Sequence, residues 1–309
     1  MRPFRFSVQH HTAPDGKAWR DVARKTEDLG YTTLYLPDHF GDQWAPTVAI
    51  AIAAEVTRSL RVGALVYDVD YRHPVMQAKE VATLDLAFPG RTIFGFGAGW
   101  MKTDYDEAGI AYDSPGTRIA RMKEALEIMK ALWADGECTF NGNHYTITNA
   151  KGFPRPSTPG GPPVLIGGGG KKILTIAAQM ADTIGVNPSL AAGEVNMDTA
   201  KSALGDVYRE RMQWIRDAAG DRFDSLDLQV LTFMTQIVDN RDEVLANIAP
   251  MFGVTPEQAA DIPLAMVGTV EQIVEDLQKR RDEFGFNDIV VQGEVMDAFA
   301  PVVAKLAGT

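Results

Sequence analysis

Two adjacent side chains, Asp38 and His39, carry the most versatile chemistry in the chain. A histidine changes charge near neutral pH and a neighbouring carboxylate can orient it, so such a pair can move a proton or fix a ligand. An Asp capping a loop beside a surface His has the same letters, so the pair needs a context. Further on, Gly167-Gly168-Gly169-Gly170 runs directly into Lys171-Lys172. Glycines opening a helix leave several N–H groups free at the positive end of the helix dipole, which makes an anion site. It is not a Walker A loop, because Leu165 stands where the first glycine belongs and Lys172 replaces the Ser/Thr. Gly95, Gly97 and Gly99 alternate ahead of Trp100. That pattern lets either a ligand or another stretch of chain approach the backbone closely, and it differs from the Gly-x-Gly-x-x-Gly of dinucleotide folds. Arg72, in Tyr71-Arg72-His73-Pro74, could meet an anion, although a solvated turn explains it equally well.

Other chemistries lack their residues. The five histidines, at 10, 11, 39, 73 and 144, show no His-Glu-x-x-His spacing, and His10-His11, the best metal candidate, has no evident carboxylate partner. There is no Gly-x-Ser-x-Gly elbow. Cys138 is the sole cysteine, so an intrachain disulfide and a thiolate metal cluster are excluded, and a reducing cytoplasm is the expected setting. No strand-end lysine or ligand cluster supports a metal or Schiff-base lyase.

These residues gain meaning from the elements that must hold them. Strands are expected at Phe4–Gln9, Thr33–Pro37, Arg61–Val66, Thr92–Phe96, Val164–Ile166, Thr183–Val186, Leu226–Phe233 and Ile289–Val291. Helical patterns fall between them, at Lys17–Leu29, Pro46–Val56, Pro74–Phe88, Thr117–Ala134, Lys171–Met180, Met197–Ala219 and Val270–Phe284, with a last helix closing the chain. Two short helices, Asp242–Phe252 and Thr255–Ala260, look inserted. Eight strands alternating with helices predict a parallel sheet closed into a (β/α)8 TIM barrel, whose chemistry sits at the C-terminal strand ends. All the motifs above follow a strand. Trp44, Tyr67, Trp100, Phe233 and Met234 lie in the same loops and are candidates to line a pocket. The helix at 46–56 is apolar on nearly all sides, as a subunit interface would be.

The chain has 309 residues, which fits one barrel plus about 60 residues. The excess is expected in insertions near 135–163 and 242–262 of a single domain spanning 1–309. A formal charge of −11 favours solubility and argues against a nucleic-acid or anionic-membrane surface. No stretch is apolar for long enough to cross a membrane, and the N-terminus has no signal-peptide pattern.

Taken together, these signatures resemble the bacterial luciferase-like superfamily, and within it the deazaflavin (coenzyme F420)-dependent oxidoreductases. The resemblance is carried by Leu36-Pro37-Asp38-His39-Phe40, by Gly97-Ala98-Gly99-Trp100 running into Asp104-Tyr105-x-x-Ala108-Gly109-Ile110, by Glu124-Ala125-Leu126 in the helix ending at Trp133, and by Gly167–Gly170. It covers nearly the whole chain. It implies a barrel with an insertion near the seventh strand. It also implies a cofactor ring across the strand ends, with a non-prolyl cis bulge near Leu65-Val66 supporting it. Asp38, Ala98 and Gly99 would contact the cofactor. Its phosphate would lie on Gly167, Gly168, Gly169 and Gly170 and near Gly185 and Val186, with Lys171 and Lys172 adding local positive charge. His39 would be the active-site histidine, with Asp38 orienting either the cofactor or that histidine. The resemblance further implies a homodimer through the 46–56 region. Sugar-phosphate dehydrogenases of the group carry Glu where Trp100 stands. An indole cannot give up a proton as a carboxylic acid does, so a more apolar small-molecule substrate is expected. An FMN-dependent monooxygenase supplied by a separate reductase, and a non-catalytic flavin-binding barrel, are the alternatives.

Overall fold

Strands that are apolar on both faces must be covered on both faces, and the expected runs obey this. The computed structural model describes residues 2–134 and 136–309, so Asp135, which opens the 135–163 segment, and Met1 lie outside the described residues. Eight parallel strands form: β1 Arg5–Gln9, β2 Thr33–Leu36, β3 Arg61–Ala64, β4 Thr92–Gly97, β5 Val164–Gly168, β6 Thr183–Val186, β7 Asp227–Leu231 and β8 Asp288–Gln292. They are hydrogen-bonded in the order β3-β2-β1-β8-β7-β6-β5-β4, and β4 returns to β3 through Val62↔Thr92 and Gly63↔Ile93. The sheet is therefore a closed barrel. Most of the core lies between the strands and the surrounding helices, where Trp19, Phe6, Leu34, Val62 and Phe94 are fully buried.

The barrel lumen is layered. Near its base, Asp288 accepts hydrogen bonds from Ser7 Oγ and Gln229 Nε2, both at 2.9 Å, which satisfies a carboxylate that is otherwise sealed from water. Above it sit Tyr35, Ile93, Leu165 and Val290, capped by Leu65, Val66 and Leu231. That apolar cap is the floor of the cleft described below.

β3 stops at Ala64 rather than running to Val66, and the Leu65–Val66 peptide that follows it is cis. The chain then resumes as a two-residue strand, Tyr67–Asp68, against the end of β4. The alternating glycines of β4 make room for this bulge. A Cβ on Gly95 would lie 1.9 Å from the Ala64 carbonyl oxygen, and one on Gly97 would lie 2.5 Å from Val66 Cγ2. What approaches the backbone there is the chain's own bulge. Gln9 Nε2 pins it from β1 by donating to the Leu65 carbonyl at 3.1 Å.

Several elements differ from expectation. The expected helix at 197–219 is two helices, Met197–Lys201 and Gly205–Ala219, and Gly205, which opens the second, packs so closely on Asp261 that a Cβ would fall 2.0 Å from its Oδ2. A short helix, Lys102–Ala108, was not anticipated. The segment before β5 holds an antiparallel hairpin, Glu137–Asn141 with Thr146–Lys151. The segment after β7 holds, besides helices Arg241–Phe252 and Pro256–Ala260, a parallel pair, Met234–Ile237 with Ala265–Gly268. The hairpin is small and mostly exposed, and in the parallel pair Ala265–Gly268 is buried throughout while Met234–Ile237 is only partly covered, so neither shows a clear apolar alternation. In helix Pro46–Glu55, Ala49, Ile50, Ala53 and Ala54 are buried while Val48 is 61% exposed. No helix among the described residues is long and apolar enough to cross a membrane.

Candidate active site

A cleft of about 460 Å³ opens at the C-terminal end of the barrel. Most of its walls come from strand ends, and Pro115, Arg118 and Ile119 of the helix Pro115–Ala134 complete them. Pro37, Asp38 and His39 follow β2, and the Leu65–Val66 bulge and Asp68 follow β3. Ala98, Gly99 and Trp100 follow β4, and Gly167 to Gly170 close β5. The loop 187–191 follows β6, and Leu231 and Phe233 end β7.

His39 is held by a carboxylate distant in sequence. Its Nδ1 lies 2.6 Å from Asp104 Oδ2, on the short helix Lys102–Ala108. Asp104 is 3% exposed and also accepts from the Tyr71 hydroxyl at 3.1 Å and from the Phe40 backbone N–H at 3.3 Å. An ionised carboxylate only accepts, so the proton of the neutral imidazole sits on Nδ1 and Nε2 is the nitrogen left to a ligand. The edge of Trp100 packs on the His39 ring at 5.6 Å and limits its rotation. This dyad can take a proton at Nε2 and stabilise the resulting imidazolium through Asp104.

Asp38 therefore does not orient His39. It is bound through both oxygens by Arg72, at 2.5 and 3.0 Å, and accepts the Asp68 backbone N–H at 3.1 Å. Arg72 in turn stands 5.1 Å over the Tyr67 ring. An ion pair this buried fixes the loop after β3 against the loop after β2 and still presents Asp38 at the cleft wall.

The glycine run opens helix Lys171–Met180, whose cap, Gly170, supplies no side-chain hydrogen bond to the first turn. The uncapped N–H groups and the dipole end point to anion binding. A Cβ on Gly169 would lie 2.3 Å from the Pro188 carbonyl oxygen and 2.6 Å from that of Asn187, so only glycine permits the loop 187–191 to close over this helix start.

Other expected residues lie elsewhere. Lys171 and Lys172 turn away from the cleft, one 5.9 Å over the Trp214 ring and the other donating to the Gly116 carbonyl. Gly185 and Val186 brace the glycine run from behind, in register with Gly167 and Gly168, and do not line the cleft. Trp44 packs on Trp19 at 5.6 Å. Tyr67 is buried against Phe94, with its hydroxyl 3.1 Å from Thr47 Oγ1, and Met234 packs within the cluster of the inserted segment. These three aromatic and sulfur side chains obey the general preference for packing, which single-residue reasoning cannot overrule. Trp100 and the 57% exposed Phe233 do line the cleft. His10 stacks on Trp19 at 6.0 Å, and burial, above all, lowers its pKa. No group of three or more His, Cys, Asp or Glu side chains that could hold a metal occurs among the described residues.

The sequence reading missed Arg118 and Asp68. Arg118, 2% exposed, donates to the carbonyls of Ala98, Gly99 and Asp113 and packs 4.1 Å over the Tyr112 ring, with no carboxylate partner among the described residues. It lines the cleft as a positive charge that no carboxylate neutralises among the described residues. Its signal, a charged side chain just inside the start of an amphipathic helix, is indistinguishable from an ordinary surface position.

Comparison with known proteins agrees with this geometry. The family model described as luciferase-like monooxygenase matches residues 1–283. An F420-dependent glucose-6-phosphate dehydrogenase of Nakamurella multipartita is 28% identical over 285 residues, spanning 88% of this chain and 80% of its own. Among solved structures, the coenzyme F420-dependent tetrahydromethanopterin reductase of Methanopyrus kandleri superposes with a TM-score of 0.77 at 17% identity, covering 99% of this chain and 98% of its own. A monooxygenase of Streptomyces bottropensis superposes with a TM-score of 0.75 at 18% identity, covering 97% and 99%.

Proposed function

The chain belongs to the luciferase-like monooxygenase family, and from that premise we propose that it is an oxidoreductase that binds coenzyme F420 in the cleft and acts on a small, largely apolar substrate. The observation that carries this reading is the conjunction, in one cleft, of the His39–Asp104 dyad, the Leu65–Val66 bulge and the uncapped glycine helix start. Relatives over most of the chain's length are named as F420-dependent enzymes.

When bound, the deazaflavin supplies hydride chemistry at its C5. The chain's residues would do the rest. Leu65, Val66 and Leu231 form an apolar bed for a flat ring, with Ala98 and Gly99 at its edge. Gly167 to Gly170 and Arg118 would hold the anionic part of the ligand, which explains how an acidic protein retains an acidic cofactor: the favourable field is local. Asp38, fixed by Arg72, would accept from the ring's polar edge. His39 would exchange a proton with the substrate through Nε2. Trp100, Leu190 and Phe233 give the remaining space an apolar character that suits an apolar substrate better than a sugar phosphate.

Fluorescence titration of the purified chain with F420 and with FMN tests the cofactor. F420 should bind more tightly, and Gly169→Ala should weaken it about tenfold or more, since the loop 187–191 must then move away. Tighter binding of FMN would favour the two-component monooxygenase reading and sink this one. The proposal includes a homodimer through helix Pro46–Glu55, on the strength of its exposed Val48. Sedimentation equilibrium should then find the wild type dimeric and Val48→Glu shifted to monomer, and a monomeric wild type would reject that element.

A further inference from the structure

Five carboxylates crowd the wall between the ends of β3 and β4, and four of them have a basic side chain as partner. Asp38 has Arg72, Asp70 and Asp113 share Arg121, and Asp104 has His39. Asp68 has none among the described residues, although it is 6% exposed and lines the cleft. Its neighbours make the shortage sharper. The Tyr105 hydroxyl lies 3.0 Å from Asp68 Oδ2, 3.2 Å from Asp68 Oδ1 and 2.8 Å from Asp70 Oδ2. A phenol has one hydrogen, so it cannot donate to both carboxylates. Two ionised carboxylates around one hydroxyl would leave a buried anion facing bare oxygen lone pairs, which is costly in a low-dielectric wall.

We propose that Asp68 is held as the neutral carboxylic acid, donating to Tyr105 Oη while Tyr105 donates to the Arg121-bound Asp70, so that the three residues store one proton at the cleft wall and exchange it with the bound ligand. The hydrogen-bond count closes in this arrangement. Asp68 also accepts the Asp70 backbone N–H at 2.9 Å, and Asp70 Oδ1 accepts from Arg121 Nε at 2.6 Å. Gly99 is part of the device: at φ +69° it carries no Cβ, and one placed there would lie 1.9 Å from the Tyr105 hydroxyl and 2.3 Å from Asp68 Oδ2.

The surrounding charges agree. Burial, foremost, pushes the Asp68 carboxyl up to about 7, with Asp70 and Asp38 adding repulsion, against the bonds from the Asp70 N–H and Tyr105. Burial together with Asp68 and Asp70 keeps Tyr105 protonated, and burial with Asp68 and Asp104 does the same for Tyr71. The cations facing this wall, Arg72, Arg118 and Arg121, are occupied by Asp38, by backbone carbonyls, and by Asp70 and Asp113. When a ligand acceptor takes the proton from Asp68, no electrons move. The charge left on Asp68 is met by the Tyr105 O–H turning from Asp70, which keeps Arg121. The exchange with ligand rests on the proposed cofactor reading, whereas the stored proton does not.

Infrared titration of the ligand-free chain between about pH 5 and pH 9 reads the acid directly. A protonated-carboxyl C=O band should disappear with a midpoint near 7 in the wild type and be missing in Asp68→Asn. Tyr105→Phe, which removes the hydroxyl that steadies either anion, should move the midpoint upward. A wild type without the band, or a band that survives in Asp68→Asn, overturns the proposal. F420 added in weak buffer with a pH indicator should then change the bound proton count in the wild type but not in Asp68→Asn. An equal change in both rejects the exchange step. If F420 fails to bind while the band titrates as expected, the cofactor reading fails and the stored proton stands.

Discussion

His39→Ala lowers turnover by about 10²–10⁴-fold, the range that a positioned acid or base supplies, while cofactor affinity is largely kept. The reason lies in the division of labour within the cleft. His39 touches no part of the glycine helix start and does not support the Leu65–Val66 bulge, so its removal leaves the proposed binding surfaces standing. Asp104→Asn, one element away, should fall by a similar order. A neutral amide keeps the shape but neither holds the Nδ1 proton as an acceptor-only group nor stabilises the imidazolium. Its single oxygen must also replace two carboxylate oxygens that together meet the His39 ring, the Tyr71 hydroxyl and the Phe40 N–H. Steady-state kinetics beside F420 titration separates the effects: kcat should drop in both variants with little change in cofactor affinity. A wild-type rate in Asp104→Asn would reject the dyad, and lost cofactor binding in His39→Ala would reassign His39 to positioning.

The barrel itself was legible because its signal is repeated. Eight apolar runs separated by helical periodicity leave few architectures, and the motif-bearing residues then fall at one end of the barrel by topology alone. Asp38, His39 and the glycine run were legible for the same reason: each follows a strand directly. What escaped was everything set by contact across the sequence. Asp104 stands 65 residues from His39 and becomes its partner only when the helix Lys102–Ala108 folds over the end of β2. Asp38 is adjacent in sequence, but Arg72 binds both of its oxygens. Lys171 and Lys172 have the right charge at the right place in the chain, but a helix turn points both away from the cleft, and a buried arginine from another helix faces it instead. The glycines of β4 illustrate a related limit. Their spacing announced a close approach, but not that the approaching group was the chain's own bulge.

Asp68 was invisible for a deeper reason, since its distinction is the lack of a partner, and its stability behaviour should expose it. Burial, above all, pushes its carboxyl up to about 7 in the folded chain from the ordinary value of 3.8, so the folded state binds this proton more tightly than the unfolded state. The sign follows from proton linkage: stability associated with Asp68 is complete below the unfolded value, declines as pH rises, and is lost once pH passes about 7. The rise from 3.8 to about 7 corresponds to on the order of 4 kcal/mol over the whole range. Asn at this position does not ionise, keeps an acceptor for the Asp70 N–H and carries none of that slope. Urea unfolding at about pH 5 and about pH 8.5 should therefore find Asp68→Asn gaining on the wild type by about 2–3 kcal/mol between the two conditions, since pH 5 already lies above the unfolded value. Parallel stability in both conditions would mean that Asp68 is ionised in the folded chain throughout. A carboxyl that weakens the fold across neutral pH, and that costs a glycine at 99 to accommodate, is not explained by stability. Its place on the cleft wall, where its proton can pass to a bound ligand, is the property that accounts for it.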